Sequence, residues 1–227
     1  MNCLFILFIF FTIGNAQQAT PITDLPLVPI QPDQWKTDYV VILVSGDGGW
    51  ARIDKRISRY MTDRGIGIVG LDSKKYFWKK KTPEESAKAL EQMMEYYSHA
   101  WKKDKFVLVG YSRGASVIPF MANRIGKTWK DKIIMLALLG PDKTEDFEIH
   151  LLDYVRTRES KNDFPVLPEL EKLKDKKILC FCGDEEEDSL CNIVDPAKIK
   201  VIRLKGGHHF GGDYEAMAAL ILNEIRE

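Results

Sequence analysis

The chain has 227 residues, with 33 lysines and arginines balanced by 33 aspartates and glutamates. That length suits one domain able to bury its own core without disulfide or metal support. The charge balance removes any global electrostatic case for nucleic acid, so no nucleic-acid partner is expected.

Residues 1–16 carry no charge and hold an apolar run from Leu4 to Phe11 followed by Gly14-Asn15-Ala16. This pattern predicts a secretory signal peptide; an uncleaved anchor is the alternative, although about ten apolar residues are short for a spanning helix. Residues 17–36, rich in proline and turn formers, read as an extended lead-in to a single domain over 37–227.

Within that domain an apolar run over 39–44 predicts a buried strand that leaves through Ser45-Gly46-Asp47-Gly48-Gly49. A helix over 52–64 follows, stopped by Gly65, and then a strand over 66–71. Thr82-Pro83-Glu84-Glu85 forms a capping box with proline at the first helical position, so a helix should run over 83–101. Next come a strand over 105–109, a helix over 113–124 kinked at Pro119, and a strand over 133–139. Residues 147–155 alternate weakly, and the loop over 164–168 is expected to cover a site. Strands over 177–182 and 200–204 and an amphipathic helix over 213–226 close the chain. Strands buried on both faces and alternating with helices define an α/β class: a mostly parallel sheet with helices on both faces and chemistry at the carboxyl ends of the strands.

The stretch Gly110-Tyr111-Ser112-Arg113-Gly114 joins one of those strands to its helix. A G-x-S-x-G sequence in that context is the turn that lifts a serine hydroxyl above the sheet edge, where a helix N-terminus can stabilise an oxyanion. A serine needs a base and the base an orienting acid, and the chain supplies both in the order serine, acid, histidine. His208, after Gly206-Gly207, is the expected base, with His209 in support. The acid is expected in the run 184–188, with Asp188 favoured over Glu186. The catalytic reading is therefore Ser112, Asp188 and His208. Oxyanion donors should come from the backbone of Arg113 and of the loop at Asp47. Asp47, Trp50, Tyr76, Trp78 and Lys79 are candidate substrate-binding residues: Asp47 for a cationic group, the aromatic and lysine segment for an anionic head group at a membrane surface.

Export would place Cys180, Cys182 and Cys191 in an oxidising compartment, and Cys182 with Cys191 is the preferred disulfide. C-x-C followed by a lone cysteine lacks paired C-x-x-C spacing, so neither metal nor cofactor is expected.

Taken together, Ser45-Gly46-Asp47-Gly48-Gly49-Trp50, Asp72 with Tyr76-Phe77-Trp78, Gly110-Tyr111-Ser112-Arg113-Gly114-Ala115, Asp188-Ser189-Leu190-Cys191 and Gly207-His208-His209-Phe210 resemble the VirJ/AcvB bacterial virulence proteins, in their single-domain VirJ-like form. The resemblance implies a periplasmic α/β-hydrolase acting as a serine esterase on aminoacylated, chiefly lysyl, phosphatidylglycerol at the membrane surface. Independently of it, a monomer is expected. The resemblance also implies a link to type IV secretion components, and with it a second reading as a non-catalytic periplasmic adaptor on a hydrolase fold.

Overall fold

The computed structural model describes residues 22–149 and 163–226. The leader read over 1–16 and most of the weakly alternating segment over 147–155 lie outside the described residues.

The chain builds β1 (Leu27–Ile30), β2 (Tyr39–Val44), β3 (Gly67–Leu71), β4 (Lys105–Tyr111), β5 (Ile133–Leu139), the short pair β6 (Thr144–Glu145) and β7 (Phe164–Pro165), then β8 (Lys177–Gly183) and β9 (Lys200–Leu204). All but the short pair form one seven-stranded sheet in the order β1-β3-β2-β4-β5-β8-β9. Every pairing in it is parallel except β1 with β3, which sets Leu27 opposite Leu71 in antiparallel register. The sheet thus begins inside the segment read as a lead-in. Its sequence Leu-Val-Pro-Ile hides a strand because Pro29 has no N–H to donate, which only an edge position tolerates.

β2 and β3 are buried at every residue, as a sheet covered on both faces requires. Alternate side chains divide between two layers. Val40, Ile42 and Val44 face one layer, closed by α3 (Pro83–Trp101), α4 (Arg113–Arg124) and α6 (Leu167–Glu171). Tyr39, Val41 and Leu43 face the other, closed by α1 (Arg52–Thr62) and α7 (Tyr214–Arg226). Two short helices, α2 (Ser73–Tyr76) and α5 (Lys127–Asp131), complete the set among the described residues. α3 starts on the predicted capping box: Thr82 Oγ1 accepts the Glu85 N–H at 3.1 Å and Glu85 Oε2 accepts the Thr82 N–H at 2.8 Å. Such a box satisfies two of the orphan donors of the first turn.

The chain runs outward from β2 to β3 on one side, then crosses to β4 on the other. This reversal of strand order opens a crevice at the carboxyl ends of β2 and β4, the place where open α/β sheets bind their ligands.

Candidate active site

Ser112 lies in that crevice, between β4 and α4, with φ 52° and ψ −120°. A non-glycine residue in the positive-φ region is strained and is held there by its surroundings. Here Ser112 N–H donates to Leu139 O at 2.8 Å, and its own carbonyl accepts the Ala115 N–H at 2.8 Å. Gly114 permits the turn: a Cβ at that position would stand 2.0 Å from the Val44 carbonyl oxygen. The N–H groups of Arg113 and Gly114, at the start of α4, have no carbonyl one turn earlier in the helix to bond and lie beside the serine.

The loop after β2 closes the other side of the crevice. Gly49 N–H donates to Gly46 O at 3.0 Å, and Gly46 packs so close to Tyr111 and Ser112 that an added Cβ would come within 3.2 Å of Ser112 Cβ. Asp47, at the tip, turns its carboxylate to Arg113: Nε donates to Asp47 Oδ1 at 2.5 Å. The same guanidinium donates to Glu145 and, at 3.0 Å, to Asp146. Arg113 therefore ties together the elbow, the glycine loop and the hairpin of β6 with β7. Burial works against its charge, but Glu145 and Asp47 outweigh that cost and raise its pKa. Burial also pushes Glu145 up to about 8 despite Arg113. The negative charge expected to await a substrate cation at Asp47 is thus committed to Arg113.

On the far side of β5, His208 Nδ1 bonds Glu186 Oε1 at 2.7 Å, and Glu186 Oε2 accepts the Gly183 N–H at 2.7 Å. Both carboxylate oxygens are fixed, so the imidazole is oriented with Nε2 left open. Sequence favoured Asp188 for this place, and the structure brings Glu186 to His208 instead. Asp188 is 90% exposed at its side chain and pairs with Lys143 instead. The physical reason is the tight turn after β8, in which Glu186 N–H returns to Gly183 O at 3.3 Å and brings Glu186, not the residue two further on, over the sheet edge. The His208 ring lies against Gly140 at the end of β5 and 5.4 Å from the Tyr111 ring, so it flanks the serine's own strand. His209 has the supporting place expected of it: its Nδ1 meets the Tyr111 hydroxyl at 2.8 Å. Burial raises the Tyr111 pKa, and the same hydroxyl donates to His208 O at 3.4 Å.

The disulfide also differs from expectation. Cys180 bridges Cys191 with Cα atoms 5.8 Å apart, and Cys182 is a buried free thiol. Cys180 and Cys182, two apart on β8, both face the same layer, so strand direction alone does not choose between them. The choice is made by the loop, which doubles back so that the turn over 190–192 docks with Leu190 N–H on Pro141 O and Cys191 meets Cys180, while Cys182 lies 3.4 Å from Arg203 Nη1.

Among the substrate-binding candidates, Trp50 is withdrawn from the site. Its ring covers Gly70 of β3 and packs on the layer closed by α1 and α7. Tyr76 is buried and donates from its hydroxyl to Glu85 O at 3.2 Å, whereas Trp78 is 53% exposed. Tyr76, Trp78 and Lys79 do come together, as walls of one cavity. The loop read as a cover supplies β7 and α6; Phe164 stacks edge-on against Phe147 at 5.7 Å. Sequence reasoning missed Glu145 and Asp146 as partners of Arg113, Tyr111 as the prop of His209, and Asp184, whose Oδ1 accepts the Gly206 N–H at 2.8 Å and links the acid and histidine loops. Only Asp184 and Tyr111 carried a signal, by standing one residue from a strand end and from the serine.

Parallel strand order, serine elbow and acid–histidine pair define the α/β-hydrolase fold. Solved structures agree on it: an α/β serine hydrolase homologue from Coxiella burnetii (13% identity, TM-score 0.56, covering 87% of this chain and 90% of that one), MenH from S. aureus (14%, 0.61, 88% and 99%) and the esterase EaEST from Exiguobacterium antarcticum (12%, 0.62, 88% and 95%). Among curated proteins none matches. The chain belongs to the bacterial virulence protein (VirJ) family, whose model matches residues 38–227.

Proposed function

We propose that the protein is an exported, periplasmic serine esterase with Ser112, Glu186 and His208 as its triad, and that its substrate is the lysyl ester of phosphatidylglycerol. The observation that carries the catalytic part is the 2.7 Å bond between His208 Nδ1 and Glu186, set beside a serine in a strained elbow. Ser112 Oγ attacks the ester carbonyl as His208 Nε2 takes its proton. Glu186 holds the imidazole in the tautomer that can do so. The N–H groups of Arg113 and the Asp47 loop receive the oxyanion, the alcohol leaves with the proton from His208, and water then releases the acyl group by the same route.

The substrate part rests on the resemblance of the motifs to lipid-directed members of the family. A fluorophosphonate probe should label Ser112 in the wild-type protein and not in Ser112→Ala. Purified enzyme should release lysine from vesicles of lysyl-phosphatidylglycerol faster than it cleaves a short neutral ester. Labelling without lysine release would leave a serine esterase of another substrate; no labelling at all would leave the adaptor reading.

A further inference from the structure

A cavity of about 410 Å³ opens beside the site, walled by Leu25, Pro26 and Tyr76 with Lys75, Lys79, Lys81 and Lys88 around it and Trp78 at its rim. Four lysines share it with two carboxylates, Asp24 and Glu85. Of these, Glu85 is engaged in capping α3, and Lys75 already pairs with Asp72 at 3.4 Å. Lys79 and Lys88 have no ion pair among the described residues, and Lys81 stands 5.3 Å over the Tyr76 ring. Burial pushes the Tyr76 phenol up to about 12, so the floor of the cavity stays uncharged and the lysines set its sign.

The cavity is stitched to the catalytic crevice. It lies at the carboxyl end of β3, on the α2 turn, and the next residue, Phe77, packs against Phe147 at 6.0 Å while the Arg113 guanidinium stands 6.0 Å over its ring. Lys81 N–H donates to Phe147 O at 3.0 Å, and Ile149 N–H to Phe77 O at 3.0 Å.

We propose that this cavity is the docking site for the phosphodiester of an anionic phospholipid, with Trp78 entering the membrane interface. The proposal rests on the lipid-ester reading and deepens it by naming where the membrane meets the protein. Unpaired lysines fit a phosphate oxygen, and each lysine near an anionic surface strengthens binding by about fivefold. A site for free phosphate gives no reason for a half-exposed indole at its rim, whereas tryptophan beside lysine is the composition that favours the headgroup layer.

The test is vesicle co-sedimentation of the mature protein with phosphatidylcholine alone, or with phosphatidylglycerol added, for wild type, Trp78→Ala and the double variant Lys79→Glu with Lys88→Glu. Sedimentation is expected only with phosphatidylglycerol, reduced several-fold by Trp78→Ala and by at least about tenfold in the charge-reversed protein, each variant melting as the wild type does. Equal binding to both lipids, or undiminished binding by the charge-reversed protein, would overturn the proposal. So would inorganic phosphate displacing vesicles while Trp78→Ala binds them normally, since that describes a free-anion site. If either variant fails to melt cooperatively, the lipid dependence of the wild type and its competition by phosphate still decide. Fluorophosphonate labelling of the same wild-type sample separates the two readings: a labelled enzyme that ignores phosphatidylglycerol keeps its serine chemistry and loses only this docking site.

Discussion

Glu186 and Asp188 differ by two positions and by nearly everything a carboxylate needs in order to orient a histidine. The first has one oxygen on His208 and the other on the Gly183 N–H, with its side chain 16% exposed; the second is 90% exposed and held by a surface lysine. A fixed, partly desolvated carboxylate selects one imidazole tautomer, whereas a solvated one imposes no orientation. Glu186→Gln is therefore expected to lower kcat by about 10³–10⁴, while Asp188→Asn stays within about twofold, because loss of the triad acid alone has effects of that order. Turnover of a chromogenic ester by the two variants checks this, and a crippled Asp188→Asn beside an active Glu186→Gln would reverse the assignment. Arg113 illustrates a second residue-scale point. Its backbone N–H is proposed as an oxyanion donor, and its side chain, through Asp47, also fixes the loop proposed to supply the second donor.

At the scale of elements, the loop from β8 to the turn over 190–192 carries Glu186 inside a ring closed by Cys180 and Cys191, 11 residues apart in sequence. Closing a ring of that size removes denatured-state entropy worth about 3 kcal/mol, or a melting shift on the order of 5–10 °C for a domain of this length. Replacing both cysteines by serine should produce that loss and also lower kcat by freeing Glu186. Cys182→Ala should leave the bridge intact, and peptide mapping without reduction should join residues 180 and 191. Fully buried strands, a capping box and G-x-S-x-G were legible because each is written in local sequence. The strand 27–30 was not, since proline masks an edge strand, nor was the cysteine partner, because it depends on how far a loop folds back over the sheet. The same reason separates His208, placed by the glycines before it, from its carboxylate partner Glu186, placed by a turn whose length no spacing rule fixes.

Across the described residues, burial raises the carboxyls of Asp54, Asp142 and Glu145, and the two pushed furthest, Asp54 and Glu145, should shape stability against pH. Asp54, on the first turn of α1, is wholly buried; Oδ2 accepts the Ala51 N–H at 2.9 Å, while Oδ1 has no partner among the described residues. Burial, against the pull of that hydrogen bond and with Asp72 adding repulsion, pushes its carboxyl up to about 7. Glu145 is pushed up to about 8, also by burial. Both folded-state values lie above the ordinary carboxyl range, so between about pH 4 and pH 8 the folded protein holds protons that the unfolded chain has released. Stability must then fall as pH rises through that window and level off above it. For Asp54 the decline amounts to about 2–4 kcal/mol, a few kilocalories being the scale of a three-unit displacement. Asp54→Asn keeps an oxygen for the Ala51 N–H and removes the charge. It should match the wild type within about 0.5 kcal/mol at pH 4 and exceed it by about 2–4 kcal/mol at pH 8, read from urea unfolding at each pH. A wild-type stability that is flat over this range, or a variant no more stable at pH 8 than at pH 4 relative to the wild type, would show that Asp54 ionises freely. Asp54 sits directly behind the loop of residues 46–49, with Ala51 as the N-cap of the helix that follows it. The cost of burying its charge is therefore borne at the junction that seats the proposed oxyanion loop, where the stabilised Asp54→Asn variant can be assayed for any change in turnover.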